Sequence, residues 1–205
     1  LIIPNRSGDT HDIRGTFFIL NNRPMLMRTP QNFSELVDLL QERHRILLEG
    51  RPDKNPGKFK TRANRAGNTS FVEPHLVKGT LKKALEPYHA LTHPLARAMY
   101  IMFVISEVHP FEDGNGRIAR IMMNAELVKA KYKRIIIPTI YREDYLLALR
   151  KLSRQQVPDA YVRMLDRAQA FSAWLKTHDF ATTTQQLHLS KAFSEPEAGS
   201  LQWPE

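Results

Sequence analysis

Apolar positions recur at helical spacing over most of the chain. Between Asn32 and Glu49, Phe33, Leu36, Val37, Leu40, Leu47 and Leu48 fall on one stripe, and Gly50 stands where a helix should stop, so one amphipathic helix is expected there. The run "PLARAMYIMFVISEV" is apolar on nearly every side, the pattern of a helix buried among others. Further helices are expected over Gly116–Lys131, Arg142–Arg154 and Asp159–His178, with breaks at Pro87, Pro94, Pro110, Pro138, Pro158 and Pro196. Two stretches depart from this period. "GTFFILNNRPMLMR" has short apolar runs around Asn21 and Asn22, residues suited to a tight turn, which predicts a small β-hairpin. "RPDKNPGKFKTRANRAGNTSFVEP" is rich in Pro, Gly and Asn and reads as a mobile hairpin or loop, either a connector or a flap over a site. The fold class is therefore mainly α, with no internal repeat.

Composition narrows the class. The 205 residues, 42% hydrophobic, suffice for one well-packed core, and the absence of cysteine excludes a disulfide framework and thiolate metal sites. No apolar run approaches a membrane span of roughly 20 residues, and "LIIPNRSGDTHD" lacks the regions of a signal peptide. A cytoplasmic protein without membrane partners is the expectation, and the start at Leu1 leaves open that the chain is a fragment of a longer protein. The net charge of +9 raises the question of nucleic acid, but the basic residues are dispersed and no DNA-binding signature is present, so a solvated surface or a basic pocket for phosphates is expected instead.

The chemistry is concentrated in "HPFEDGNGRIAR", His109–Arg120. Pro110, Gly114 and Gly116 impose a tight loop, and helical spacing resumes at once in "RIARIMMNAELVKA". The loop thus empties onto a helix N-terminus, where free N–H groups and the helix dipole favour an anion and glycine lets a phosphate approach the backbone. Arg117 and Arg120, three apart, share a helical face on which their guanidinium forks can hold phosphate oxygens. Asp113 is placed to hold a Mg²⁺ ion that bridges phosphates, whereas Glu112 is expected at the surface or rim. Asn115 can cap the helix start and can donate its amide to a phosphate. His109 ends the buried helix with a pKa suited to taking a proton from a hydroxyl near neutral pH. Phe111 is expected to anchor the loop, and His11, His44, His75, His89, His93, His178 and His188 are expected to be structural.

"HPFEDGNGRIAR" resembles the Fic-domain signature His-x-Phe-x-(Asp/Glu)-Gly-Asn-Gly-Arg-x-x-Arg at every defined position. "NPGKFKTRANRAGN" is similar to the family's target-binding flap, "ARAMYIMFVISE" to its helix before the loop and "IIIPTIYREDYLLAL" to its following segment, so the resemblance covers roughly residues 45–170. It implies a Fic-type helical bundle with a small β-hairpin flap: an N-terminal extension at 1–30, a Fic domain at 31–178, and a C-terminal helix and tail at 179–205. It also implies a protein adenylyltransferase, which moves AMP from ATP to a Ser, Thr or Tyr hydroxyl of a target protein docked at the flap and releases pyrophosphate. His109 would be the general base, Asp113 the Mg²⁺ ligand, Gly114, Asn115 and Gly116 the phosphate cradle, and Arg117 and Arg120 the holders of the β and γ phosphates.

The family's inhibitory helix, (Ser/Thr)-x-x-x-Glu-(Gly/Asn), is not matched. Glu49-Gly50 has Arg45 at the Ser/Thr position, and Ser194…Gly199 has Ala198 at the glutamate position with Pro196 opposing a helix. Inhibition is expected to be missing, to come from a partner protein, or to lie on a segment before Leu1. The alternatives are a Doc-like protein kinase of the same fold, which the intact Gly116 opposes, and a non-catalytic peptide- or DNA-binding regulator. Asn124 and Tyr145 are candidates for a base pocket or for ordinary packing.

Overall fold

Asn32 opens the helix that the pattern marks most clearly. Its Oδ1 accepts from the Glu35 N–H at 3.0 Å while the Glu35 carboxylate accepts from the Gln31 N–H at 3.0 Å, a reciprocal cap on α3, Phe33–Leu47. Leu36, Leu39, Leu40, Arg43, His44 and Leu47 form its buried stripe. Each fully buried leucine contributes on the order of 2 kcal/mol.

The protein is described by a computed structural model that places residues 7–204. The chain divides into two compact units, Leu1–Lys131 and Tyr132–Glu205. The first six residues of the extension expected at 1–30, and Glu205 of the tail, lie outside the described residues.

In the first unit, α1 (Ser7–Asn21) and α2 (Arg23–Leu26) precede α3, the hairpin strands β1 (Arg65–Ala66) and β2 (Thr69–Ser70) follow it, and then come α4 (Val77–Ala90), α5 (Pro94–Val108) and α6 (Asn115–Lys129). The expected hairpin around Asn21 and Asn22 is replaced by helix. Its run Phe17–Leu20 buries one residue per turn rather than alternate residues: Ile19 is 0% exposed while Phe17 and Phe18 are 68% and 53% exposed. Asn22 does not make a strand turn; its Oδ1 accepts from Met25 N–H and caps α2. Gly15 brings α1 against the end of α3, since a Cβ there would meet the Ile46 carbonyl at 2.5 Å. Arg43, fully buried, donates through Nη2 to the Met25, Leu26 and Arg28 carbonyls and fixes the link between α2 and α3.

Antiparallel β1 and β2 pair Arg65 with Ser70 and Ala66 with Thr69, across a turn whose Gly67 has a φ of 55°. Pro87 does not break α4, contrary to expectation: it lies in the last turn, beside exposed Lys83 and Glu86, so the carbonyl it leaves unpaired faces water. Helix α5 is buried as its all-round apolar pattern requires, and it packs along α6. Glu126 of α6 accepts from Tyr88 Oη of α4 and from Arg97 Nε of α5 at 3.2 Å, tying three helices together with a buried, fully engaged carboxylate.

In the second unit, α7 (Arg142–Gln155) packs on α8 (Asp159–Trp174), and α9 (Phe180–Leu189) follows. Helix α8 stops four residues before the expected His178 because Leu175 turns extended and is buried, and Asp179 then caps α9 through the Thr182 N–H. Among the described residues no helix is long and apolar enough to cross a membrane.

Candidate active site

The loop from His109 to Gly114 joins α5 to α6 within the first unit. His109 ends α5 in the left-handed region, with a φ of 49°, a conformation that costs a side-chain-bearing residue about 1 kcal/mol. Its Nδ1 lies 3.2 Å from the Ser106 carbonyl oxygen. A carbonyl can only accept, so Nδ1 carries the proton and Nε2 keeps its lone pair. The ring is stacked on Phe71 at 3.7 Å. Burial, aided by the Lys60 cation, holds its pKa below the usual histidine value against the opposing effects of the Ser106 bond and Asp113.

Phe111 is fully buried and stacks on His44 at 3.8 Å with the planes 3° apart. Asn115, 2% exposed, accepts from Phe111 N–H through Oδ1 and donates to the Phe111 carbonyl through Nδ2, both at 2.8 Å. Both faces of its amide are thus spent on the loop. The expectation that Asn115 caps α6 is corrected: Gly114, with a φ of 75°, occupies the cap position and Asn115 is the first helical residue. A side chain at Gly114 would also press on Leu47 at 3.2 Å and Leu48 at 3.4 Å.

The start of α6 is open. Arg117 and Ile118 N–H both turn back to the Gly114 carbonyl, and those of Asn115 and Gly116 have no acceptor among the described residues. A Cβ at Gly116 would meet only Arg120 Nη1, at 3.6 Å. Space beside a guanidinium and two free N–H groups therefore lies at the helix N-terminus, the surroundings an anion takes.

Carboxylates and arginines surround this opening. Asp113 accepts from Gly114 N–H at 2.6 Å, pairs with Arg51 at 3.1 Å and faces Arg117 at 3.5 Å. Burial raises its pKa, but that hydrogen bond with Arg117, Arg51 and Lys54 brings it net below the ordinary value, and its side chain is 38% exposed. Glu112, half-buried, accepts from Asn55 Nδ2 at 3.2 Å.

Further participants lie outside the signature. Asp12 of α1, its side chain 4% exposed, binds Arg117 and, at 3.1 Å, Arg51. Its partners are separated from it by 105 and 39 positions, a distance no local pattern encodes. His44, expected to be structural, is built into the loop: Nδ1 accepts from Gly57 N–H at 2.9 Å, so Nε2 carries the proton and donates to the Asp113 carbonyl at 3.1 Å. Burial pushes its pKa down to about 4. The available signal was a titratable residue on the apolar stripe of α3. Lys60 and Asn64, at the root of the hairpin, donate to the carbonyls of Val108 and Phe111.

Residues 33–127 match the model of the Fic/DOC family. The chain is 27% identical over 154 residues to protein adenylyltransferase fic-1 of Caenorhabditis elegans, covering 73% of this chain and 30% of that protein. It is 30% identical over 140 residues to protein adenylyltransferase Fic of Drosophila melanogaster, covering 63% and 27%. It therefore spans less than a third of the length of these curated relatives. Among solved structures, it is similar in fold to Fic-1 of C. elegans, with a TM-score of 0.67 at 22% identity over 84% of this chain and 53% of that one. It is likewise similar to Bartonella tribocorum BepC, solved with bound AMPPNP, with a TM-score of 0.60 at 17% identity over 79% and 82%. With its whole signature on one loop between two packed helices, the chain is similar to the Fic/DOC family over residues 33–127.

Proposed function

We propose that the chain transfers AMP from ATP to a Ser, Thr or Tyr hydroxyl of a target protein and releases pyrophosphate. The observation that carries this reading is the tautomer of His109: its Nδ1–H is committed to the Ser106 carbonyl, so Nε2 is left as a base. The target hydroxyl gives its proton to Nε2 as its oxygen bonds to the α-phosphorus. The bond from that phosphorus to the bridging oxygen breaks, and pyrophosphate leaves. The naming of the curated relatives as adenylyltransferases supports the same assignment.

The leaving phosphates are assigned to the open start of α6. Gly114, Asn115 and Gly116 form the cradle, with the N–H groups of Asn115 and Gly116 as donors, because the Asn115 side chain is occupied by Phe111. Arg117 and Arg120 are assigned to the β and γ phosphates. Arg117 is held by Asp12, so nucleotide and Asp12 compete for one guanidinium.

Among the described residues no group of three or more His, Cys, Asp or Glu could enclose a metal. One partly exposed carboxylate beside phosphate oxygens is nevertheless a donor set that Mg²⁺ accepts, and Asp113 fits it. Bound there, Mg²⁺ would neutralise charge developing on pyrophosphate.

The hairpin supports target docking. Both residues of β1 are exposed, and a target segment can add to such an edge by main-chain pairing with little demand on sequence. Incubation with ATP and a cell extract, followed by mass spectrometry, tests the function: AMP should appear on a hydroxyl side chain. A phosphoryl group there, or no adduct, would contradict it.

A further inference from the structure

The root of the hairpin grips the catalytic loop at four successive residues. Lys60, buried, donates its backbone N–H to the Pro110 carbonyl at 2.8 Å. Its Nζ donates to Asn64 Oδ1 at 2.7 Å and to the Val108 carbonyl at 3.4 Å. Asn64, oriented by that ammonium, donates Nδ2 to the Phe111 carbonyl at 2.9 Å. Phe71, joined to Asn64 by its N–H at 3.3 Å, lies flat on the His109 ring, 8° from parallel. Val108, His109, Pro110 and Phe111 are thus all held from one element.

Simple anchoring of a loop does not call for this chemistry. Burying a lysine ammonium costs several kcal/mol unless it is well partnered, and here the oxygens it hydrogen-bonds are neutral, with Glu73 acting on it through space, in a place where burial lowers its own pKa. Apolar packing would hold a hairpin root more cheaply. What the ammonium adds is a fixed positive charge near the imidazole and an aimed Asn64 amide. The backbone N–H of left-handed His109 bonds Ile105 and its Nδ1 is tied to the Ser106 carbonyl, while the Phe71 face fixes the plane of the ring.

We propose that Lys60, Asn64 and Phe71 are positioning residues that hold His109 in its working orientation and link its alignment to the hairpin where the target docks. This rests on the AMP-transfer reading, in which His109 is the base. The groups facing His109 are Lys60 and Phe71 from the hairpin root, Ser106 from α5 and Asp113 from its own loop. With the cation removed, the imidazolium is less disfavoured and His109 must titrate at higher pH.

The test uses Lys60→Met, which keeps a long apolar stem, with Lys60→Arg as the conservative rescue and the half-buried Phe71→Leu as a variant that is safe for folding. Three quantities are read: affinity for a non-hydrolysable ATP analogue, kcat and KM for transfer of α-labelled AMP, and the titration of His109 followed by NMR. Lys60→Met should lose about 10²-fold in kcat, the scale of a misplaced catalytic group, with nucleotide affinity within about twofold. Its acid limb and the NMR midpoint should both move upward. Phe71→Leu should shift the midpoint in the same direction, and Lys60→Arg should restore most of the rate. An unmoved midpoint in both Lys60→Met and Phe71→Leu, or equal losses in kcat and nucleotide affinity, would overturn the proposal. The NMR midpoint needs no turnover, so a wild-type chain that transfers no AMP would refute the function while leaving the clamp to be judged by that midpoint.

Discussion

If Arg117 holds a phosphate, Asp12 stands in its way, and Asp12→Asn should tighten nucleotide binding. The substitution keeps shape and an acceptor but removes the charge. A pair of unit charges in contact near a surface is worth at most about 4 kcal/mol, and the Arg117 side chain retains 28% exposure, so solvent screens the interaction further. Asp12 also keeps Arg51 when Arg117 leaves, which limits what the nucleotide must displace. A net competition of about 1.4 kcal/mol then corresponds to a tenfold gain in affinity. Titration calorimetry with a non-hydrolysable ATP analogue measures it, alongside Arg117→Ala and the double variant. The gain should vanish when Arg117 is absent, because the cycle isolates the pair. Unchanged or weaker binding by Asp12→Asn, or a gain that survives Arg117→Ala, would refute the competition.

His109→Ala should lower transfer about 10²–10⁴-fold with ATP affinity within a few-fold; native-rate modification of the target by this variant would remove His109 from the role of base. Proline at Arg65 or Ala66 should weaken target modification more than ATP binding, whereas equal losses would show that the hairpin serves the nucleotide site instead. Stability should fall as pH drops from about 6.5 to about 4, because His44 resists protonation in the folded state and accepts it freely in the unfolded one. Its lowered value corresponds to about 3 kcal/mol, complete above the unfolded pKa and lost toward the folded one; urea denaturation at pH 7 and pH 4.5 should show it in wild type and not in His44→Phe.

The helices were legible where one face meets the core. The stripe of α3 and the all-round apolar α5 each have one structural solution, and the loop between α5 and α6 is spelled out by consecutive residues. The N-terminal hairpin failed because Asn22 serves equally as a strand turn or a helix cap, and only the burial of Ile19 with Gly15 against α3 decides between them. Asn115 misled for a related reason: an amide before a helix suggests a cap, but Phe111's backbone sits closer. Asp12, Arg51, Lys60 and Asn64 reach the site only through tertiary folding, and each reads along the chain as an ordinary surface polar residue.

Which phosphorus the hydroxyl attacks decides between AMP transfer and phosphorylation. Gly116 leaves space beside Arg120 and the free N–H groups of α6, and the proposed assignment puts the β and γ phosphates there with the α-phosphorus toward His109. ATP labelled on the α or the γ phosphorus, supplied in separate reactions with the target, measures this directly. The α label should enter protein, the γ label should leave as pyrophosphate, and Asp113→Ala should suppress incorporation. Entry of the γ label into protein, with the α label remaining in free nucleotide, would contradict the assignment and make the chain a kinase.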